Sequence, residues 1–366
     1  MLEGRGGMGE LSPGTIAALG GLLGGCALGF AARWGRFCTL GAVEDVALAG
    51  DSRRLRMWGL AIAIAMFITF AMYGAGLIDI TQTFYLATPT TIVATVVGSF
   101  MFGYGMSLVG TCGFGTLARI GGGDLKSVFT FLIMGITAYA TMSGAGAYLR
   151  LFISARSEPP MENASFAFLI GDMTGLSPVI VGMAFALVIV IYCFSSASFR
   201  QSPRFVIAAV IVGLAIAFGW FVTGYLALDP FEPYPLESFT FAAPLGESIL
   251  YVMAMTGSSL NFGIGAVAGV IIGAAVTTLF QKHFRWEVCD DAREMRRQMM
   301  GGVLMGFGSV TALGCTVGQG LTGASLLAFS TPIAFVSMYA GSWVGLHKLV
   351  HGSVLEPLKQ VLFQRR

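Results

Sequence analysis

One stretch of this chain occurs twice, and any fold must accommodate both copies. Gly98, Gly103, Gly105, Cys112 and Gly115 fall on Gly301, Gly306, Gly308, Cys315 and Gly318 at a constant offset of 203, without a gap. Both copies lie in uncharged sequence, and each carries one thiol in a glycine-rich break. Interrupted apolar helices in an internal repeat are the pattern of a transporter whose path runs between the copies.

The setting agrees. Charged residues are 11% of the 366 positions and hydrophobic ones 55%, whereas a soluble domain carries about a quarter charged residues. The expected fold is therefore an all-α polytopic membrane protein, forming a single membrane domain over 1–366. The opening residues carry Glu3, Arg5 and Glu10 and no short cleavable apolar core, so the first apolar segment is expected to remain as a span.

A helix needs about 20 apolar residues to cross a bilayer. Nine candidates emerge, at 13–32, 57–78, 89–110, 127–149, 178–199, 204–228, 260–281, 297–314 and 331–349. Five openings pair a hydroxyl residue with proline, at Ser12 and Pro13, Thr88 and Pro89, Ser177 and Pro178, Ser202 and Pro203, and Thr331 and Pro332. Such a pair suits a helix N-cap and first turn. Nine crossings place Arg33, Arg36, Arg53, Arg54, Arg119, Lys126, Arg204, Arg285 and Arg297 on one side. The other side receives Arg5, Arg150 and Arg156 beside Asp79, Glu158, Asp229, Glu232 and Glu237. The positive-inside rule then puts the N-terminus outside and the C-terminus in the cytoplasm. The expected location is a bacterial inner membrane, with the bilayer itself as a partner.

At an offset of 202 or 203, Phe37 also falls on Phe239 and span 57–78 on 260–281. This divides the chain into repeat 1 (12–150), a linker with an extra central span (151–203), repeat 2 (204–350) and a cytoplasmic tail (351–366). An odd number of crossings between equivalent points inverts the second copy. Residues 298–346 carry no charge and are too long for one span. That run, and the 110–123 connection, are read as re-entrant turns, each a span ending in a glycine break and followed by a half-helix. Residues 33–50 and 235–256 form a second pair of breaks, of which only the first holds a cysteine, Cys38.

Irregular backbone at membrane depth must face protein or a water-lined path. The breaks offer thiols, main-chain amides and half-helix N-termini. A helix start carries about half a positive charge and free N–H donors, which favour an anion. A thiol is a weak, polarizable donor suited to a soft sulfur atom. Together they point to a small sulfur-bearing anion. The candidate pathway residues are Cys38, Cys112 and Cys315, supported at the breaks by Gly110, Thr111, Gly113, Gly115, Gly314, Thr316 and Gly318. Cys26 and Cys193 read as small apolar fillers, Cys289 as incidental in a charged loop, and Gly20, Gly21, Gly24, Gly25, Gly269 and Gly273 as helix-packing contacts. Arg36 and Arg119 read first as headgroup or sidedness residues, and second as cations drawing an anion through the cytoplasmic mouth. No metal-ligand spacing, nucleotide-binding loop or nucleic-acid feature is present, and no cofactor or catalytic residue is expected.

Three motifs, in order, carry a family resemblance. They are Arg36 to Thr39 around Cys38, the run from Gly103 and Gly105 to Gly110, Cys112 and Gly113, and the run from Gly306 and Gly308 to Gly314, Cys315 and Thr316. The chain resembles the YeeE/YedE family of sulfur-compound transporters over nearly its whole length. The resemblance implies nine spans plus re-entrant short helices in an hourglass of two inverted, pseudo-twofold halves. It implies a thiosulfate relay between Cys38, Cys112 and Cys315 through S–H contacts, and a TusA-like sulfur carrier protein receiving the product in the cytoplasm. Uptake of another sulfur or selenium compound fits the same family. A membrane sulfurtransferase forming a cysteine persulfide, and a non-transporting scaffold for a sulfur carrier, are the competing classes.

Overall fold

The computed structural model describes residues 12–88, 91–154, 164–229, 234–282, 284–287 and 291–352. Arg5, Pro89, Arg156, Glu158, Pro230, Glu232, Pro233, His283, Cys289 and all but the start of the 351–366 tail lie outside these residues. The described chain is helical, with only two isolated β-bridges, Asp124 to Glu287 and Ser165 to Ala328.

In chain order the helices are α1 (Pro13–Trp34), α2 (Thr39–Glu44), α3 (Arg53–Gly74), α4 (Phe84–Ala87), α5 (Ile92–Val109), α6 (Gly113–Gly121), α7 (Leu125–Ser143) and α8 (Gly146–Ser154). There follow α9 (Phe166–Thr174), α10 (Pro178–Phe194), α11 (Ala197–Arg200), α12 (Pro203–Phe221), α13 (Ala243–Met253), α14 (Phe262–Phe280), α15 (Ala292–Thr311) and α16 (Ser330–His351). Two hydroxyl–proline openings act as the sequence predicts: Ser12 and Ser177 cap α1 and α10, and a proline follows each. The others differ. Ser202 precedes α12 but its hydroxyl donates to Ser198 O instead. Thr331 lies inside α16 and donates to Gln319 O. The expected opening at Thr88 is replaced by Thr91, which precedes Ile92.

Among the described residues, six helical stretches are long and apolar enough to cross a bilayer: Pro13–Ala49, Arg53–Gly74, Ile92–Gly121, Leu125–Ser143, Pro203–Leu226 and Phe262–Phe280. A seventh arises if α9 and α10, bent by 118° at their junction, form one broken span. Helices occupy the last two spans read from the sequence, but they are less apolar. The first turns of α15 carry Arg293, Glu294, Arg296 and Arg297, and α16 is interrupted by Ser330, Ser337, Ser342, His347 and Lys348. The chain is a multi-pass membrane protein by helix composition.

Small residues let the long helices touch backbone to backbone. The α1–α14 pair runs on Gly21, Gly25, Gly269 and Gly273, whereas Gly20 and Gly24 face Val222 and Phe239: a methyl added at Gly25 would lie 2.5 Å from Ala266 O. Helix α5 packs between α15 and α16. There the repeated glycines meet one another. A methyl at Gly98 would lie 2.7 Å from Gly308 O, and one at Gly105 would lie 2.7 Å from Gly301 O. Further contacts join α1 to α14, α12 to α3, α5 to α16 and α15 to α7. Cys193 is fully buried beside Gly59 and fills space between α10 and α3.

Candidate functional site

All three candidate cysteines stand at the first turn of a helix. Cys38 precedes α2 in extended backbone (φ −145°, ψ 128°), and its carbonyl accepts from Ala42 N at 3.1 Å. Cys112 precedes α6 (φ −88°, ψ 176°), and its carbonyl accepts from Thr116 N at 2.8 Å. Cys315 precedes a helical turn with a π segment at Gly318–Gly323, and its carbonyl accepts from Gln319 N at 2.8 Å. Each cysteine thus stands beside the first-turn main-chain N–H groups and the positive end of a helix.

The breaks that free these positions have local causes. Gly110 ends α5 in the left-handed conformation (φ 81°), where its N–H returns to Met106 O at 2.9 Å. The Arg119 guanidinium reaches back from α6 and donates to Gly110 O at 2.7 Å. Leu313 (φ 58°) turns the chain after α15, and Gly314 N closes the end on Ser309 O at 2.8 Å. Thr111 is buried under Gly115, whose missing side chain leaves room for the Thr111 hydroxyl. A methyl at Gly113 would lie 3.2 Å from Phe241 O, and one at Gly318 would lie 2.6 Å from Thr240 Oγ1 and 2.8 Å from the Tyr85 hydroxyl. All seven supporting residues therefore lie at or beside the two breaks.

The breaks come together. Cys112 and Cys315 are fully buried and Cys38 is partly exposed. Cys38 lies within electrostatic reach of Cys112, and Cys112 within reach of Cys315. Hydroxyls surround them. Thr39 Oγ1 donates to Cys112 Sγ at 4.0 Å, and Thr240 Oγ1 lies 4.0 Å from Cys315 Sγ. Thr316 packs toward Cys112, yet its buried Oγ1 has no partner at hydrogen-bonding geometry. Cys315 Sγ accepts from Phe241 N at 3.3 Å and from Gly318 N at 3.5 Å. The described cysteines are all free thiols.

Four members of this cluster were not among the expected residues: Thr39, Tyr85, Thr240 and Phe241. Two had a signal. Thr39 follows Cys38 as Thr316 follows Cys315, and the offset that puts Phe239 on Phe37 puts Thr240 on Cys38. Tyr85 and Phe241 had none, because tertiary packing brings them in. Cys26 lies on α1 and Cys193 on α10, apart from the thiol cluster.

This arrangement offers weak donors, main-chain amides and helix ends to a small anion. The profile of the sulphur transport family matches residues 34–344. Two relatives carry the name thiosulfate transporter TsuA. The protein of Spirochaeta thermophila is 28% identical over 331 residues, covering 88% of this chain and 96% of its own. That of Escherichia coli is 27% identical over 345 residues, covering 89% of this chain and 92% of its own. The matched region takes in all three thiols and both breaks, and the chain belongs to the sulphur transport (YeeE/YedE) family.

Proposed function

We propose that this protein imports thiosulfate, or a closely related sulfur anion, across a bacterial inner membrane by passing it along Cys315, Cys112 and Cys38. The observation that carries the reading is the convergence of three thiols, each at a helix start, with Thr39, Thr240 and Thr316 beside them. Oxyanion oxygens take the hydroxyls and main-chain N–H groups, and the soft terminal sulfur takes the S–H donors. None of these donors is itself charged, so none holds the anion as tightly as an arginine would, as conduction requires. The names of the two relatives support thiosulfate as the substrate.

The same proposal includes the architecture. Nine crossings, with re-entrant half-helices at the breaks, form an hourglass of two inverted halves, 12–150 and 204–350, joined by 151–203. The reciprocal glycine contacts support it: exchanging equivalent positions turns the Gly98–Gly308 contact into Gly301–Gly105. The α1–α14 and α12–α3 contacts exchange in the same way, as do α5–α16 and α15–α7. The charge asymmetry supports an outer N-terminus and a cytoplasmic 351–366 tail. A TusA-like carrier protein is the proposed cytoplasmic acceptor.

Uptake of radiolabelled thiosulfate, sulfite, sulfate and selenite into vesicles tests the reading. Thiosulfate uptake should exceed sulfate uptake and vanish in Cys112→Ala. Uptake that is equal for all anions, or indifferent to Cys112→Ala in a folded protein, would sink it.

A further inference from the structure

A polar basin of about 490 Å³ lies among α1, α6, α7 and α15, on the cation-rich side of the thiols. Its cations are Arg33, Arg119, Lys126, Arg285 and Arg297, and its acids are Asp124, Glu287 and Glu294. Five against three leaves a surplus of two positive charges, the complement of a divalent anion. The acids are also engaged. Asp124 caps α7, accepting from Lys126 N at 3.0 Å and the Ser127 hydroxyl at 2.9 Å. Glu294 pairs with Lys126 at 3.3 Å and accepts from Gln298 Nε2 at 3.2 Å. Asp124 and Glu287 both act on Arg33, so the acids offset the arginines only in part.

The basin meets the thiol path at Arg119. Its guanidinium holds the Gly110 carbonyl two residues before Cys112 and stands within electrostatic reach of Cys38. Arg33 approaches it from α1. Its guanidinium lies over Gly122, where no side chain would fit, and its buried Nε has no hydrogen-bond partner. The two arginines act on one another electrostatically. Like charges lining one basin, with an unsatisfied buried donor, are stabilised by an anion between them. The guanidinium fork matches two oxygens of a tetrahedral oxyanion.

We propose that this basin is a second oxyanion site, where a divalent tetrahedral anion rests between Arg33 and Arg119 after leaving the thiols. The inference rests on the transport reading for the direction of travel, but the site itself is independent of it. Thiosulfate arriving through the protein and sulfate from the cytoplasm present the same oxygens, and both should bind.

The test uses the purified full chain carrying Cys38→Ala, Cys112→Ala and Cys315→Ala, titrated calorimetrically with sodium thiosulfate and sodium sulfate at constant ionic strength. Both anions should still bind. Adding Arg33→Gln and Arg119→Gln should weaken binding by about tenfold, as expected for loss of charge-assisted pairs. Arg297→Gln, at an exposed position that does not endanger folding, should weaken it by about two- to threefold through the lost field alone. Absence of binding in the triple-alanine protein, or binding indifferent to the arginine substitutions, overturns the proposal. Failure of the transport reading would appear elsewhere, as absent uptake of labelled thiosulfate by the unmodified protein.

Discussion

The main-chain N–H of Phe241 donates to Cys315 Sγ at 3.3 Å, and the Phe241 carbonyl lies against Gly113, the residue after Cys112. One peptide segment therefore touches both breaks, and the Phe241 ring sits 5.4 Å from that of Phe114 on α6. Placement of the two buried thiols depends on this residue, which comes from neither repeated motif.

Cys315→Ala should cost more stability than Cys315→Ser. Alanine strands two buried donors, Phe241 N and Gly318 N, whereas serine keeps an acceptor. An unsatisfied buried N–H costs about 1–3 kcal/mol. Cys315→Ala should lose uptake and Cys315→Ser should retain at most weak uptake, since serine keeps a donor but not a soft one. Thermal unfolding in detergent separates them, and equal midpoints would count against the Phe241 bond as a structural element.

Thr316→Val should behave in the opposite way. The Thr316 hydroxyl is buried without a hydrogen-bond partner, so replacing it with a methyl removes a desolvation cost of about 1–3 kcal/mol. Stability should hold or rise while thiosulfate uptake falls, because the hydroxyl is free to serve the anion beside Cys112. A variant that is both stabilised and fully active would show the oxygen to be idle.

Gly98→Ala and Gly308→Ala should each destabilise the α5–α15 contact by about 1–3 kcal/mol, the usual cost of overpacking. The added methyls would lie 2.7 Å from Gly308 O and 2.5 Å from Gly98 O, respectively. Both act on one contact, so the double variant should cost less than the sum. Full additivity in chemical or thermal unfolding would mean that the helices do not meet there.

The breaks at Cys112 and Cys315 were legible because the repeat marks them twice and because a charge-free run beyond one span's length must fold back or break. Ser12 and Ser177 were legible because a cap is a local bond within one turn. Thr331 was misread because a tertiary bond to Gln319 O displaces the cap, and α16 starts at Ser330. The 118° bend between α9 and α10 leaves no mark beyond Gly175 and Pro178. Thr240 and Phe241 approach Cys315 across 74 or 75 residues of chain, a distance that periodicity does not bridge.

The loop before α3 supplies a pH prediction. Arg53 donates to both Asp51 carboxylate oxygens, at 3.1 and 2.8 Å, and holds the carboxyl below its ordinary range. A lowered folded-state pKa contributes stability that is present above the unfolded value and lost as pH falls through the folded one. This pair should therefore contribute equally at pH 8 and pH 5, and fade only in stronger acid. Because it is largely solvated, its contribution is small, as for surface ion pairs generally. Asp51→Asn should leave the unfolding midpoint nearly unchanged at either pH, and a large loss at pH 5 alone would contradict the assignment.

Whether the thiols relay the anion or attack it is decided by what remains on Cys112. Attack on sulfane sulfur requires a thiolate, and a helix start favours one. Burial opposes it, and Cys112 is fully buried. A relay needs only the S–H group and leaves no adduct. Intact-mass measurement after incubation with thiosulfate should find no added sulfur on Cys112, in the same preparation that takes up label. Cys112→Ser, which keeps a donor of similar size but cannot form a persulfide, should retain weak uptake where Cys112→Ala has none. A stable one-sulfur adduct on Cys112, together with complete loss of uptake in Cys112→Ser, would replace the relay with a sulfur-transfer step.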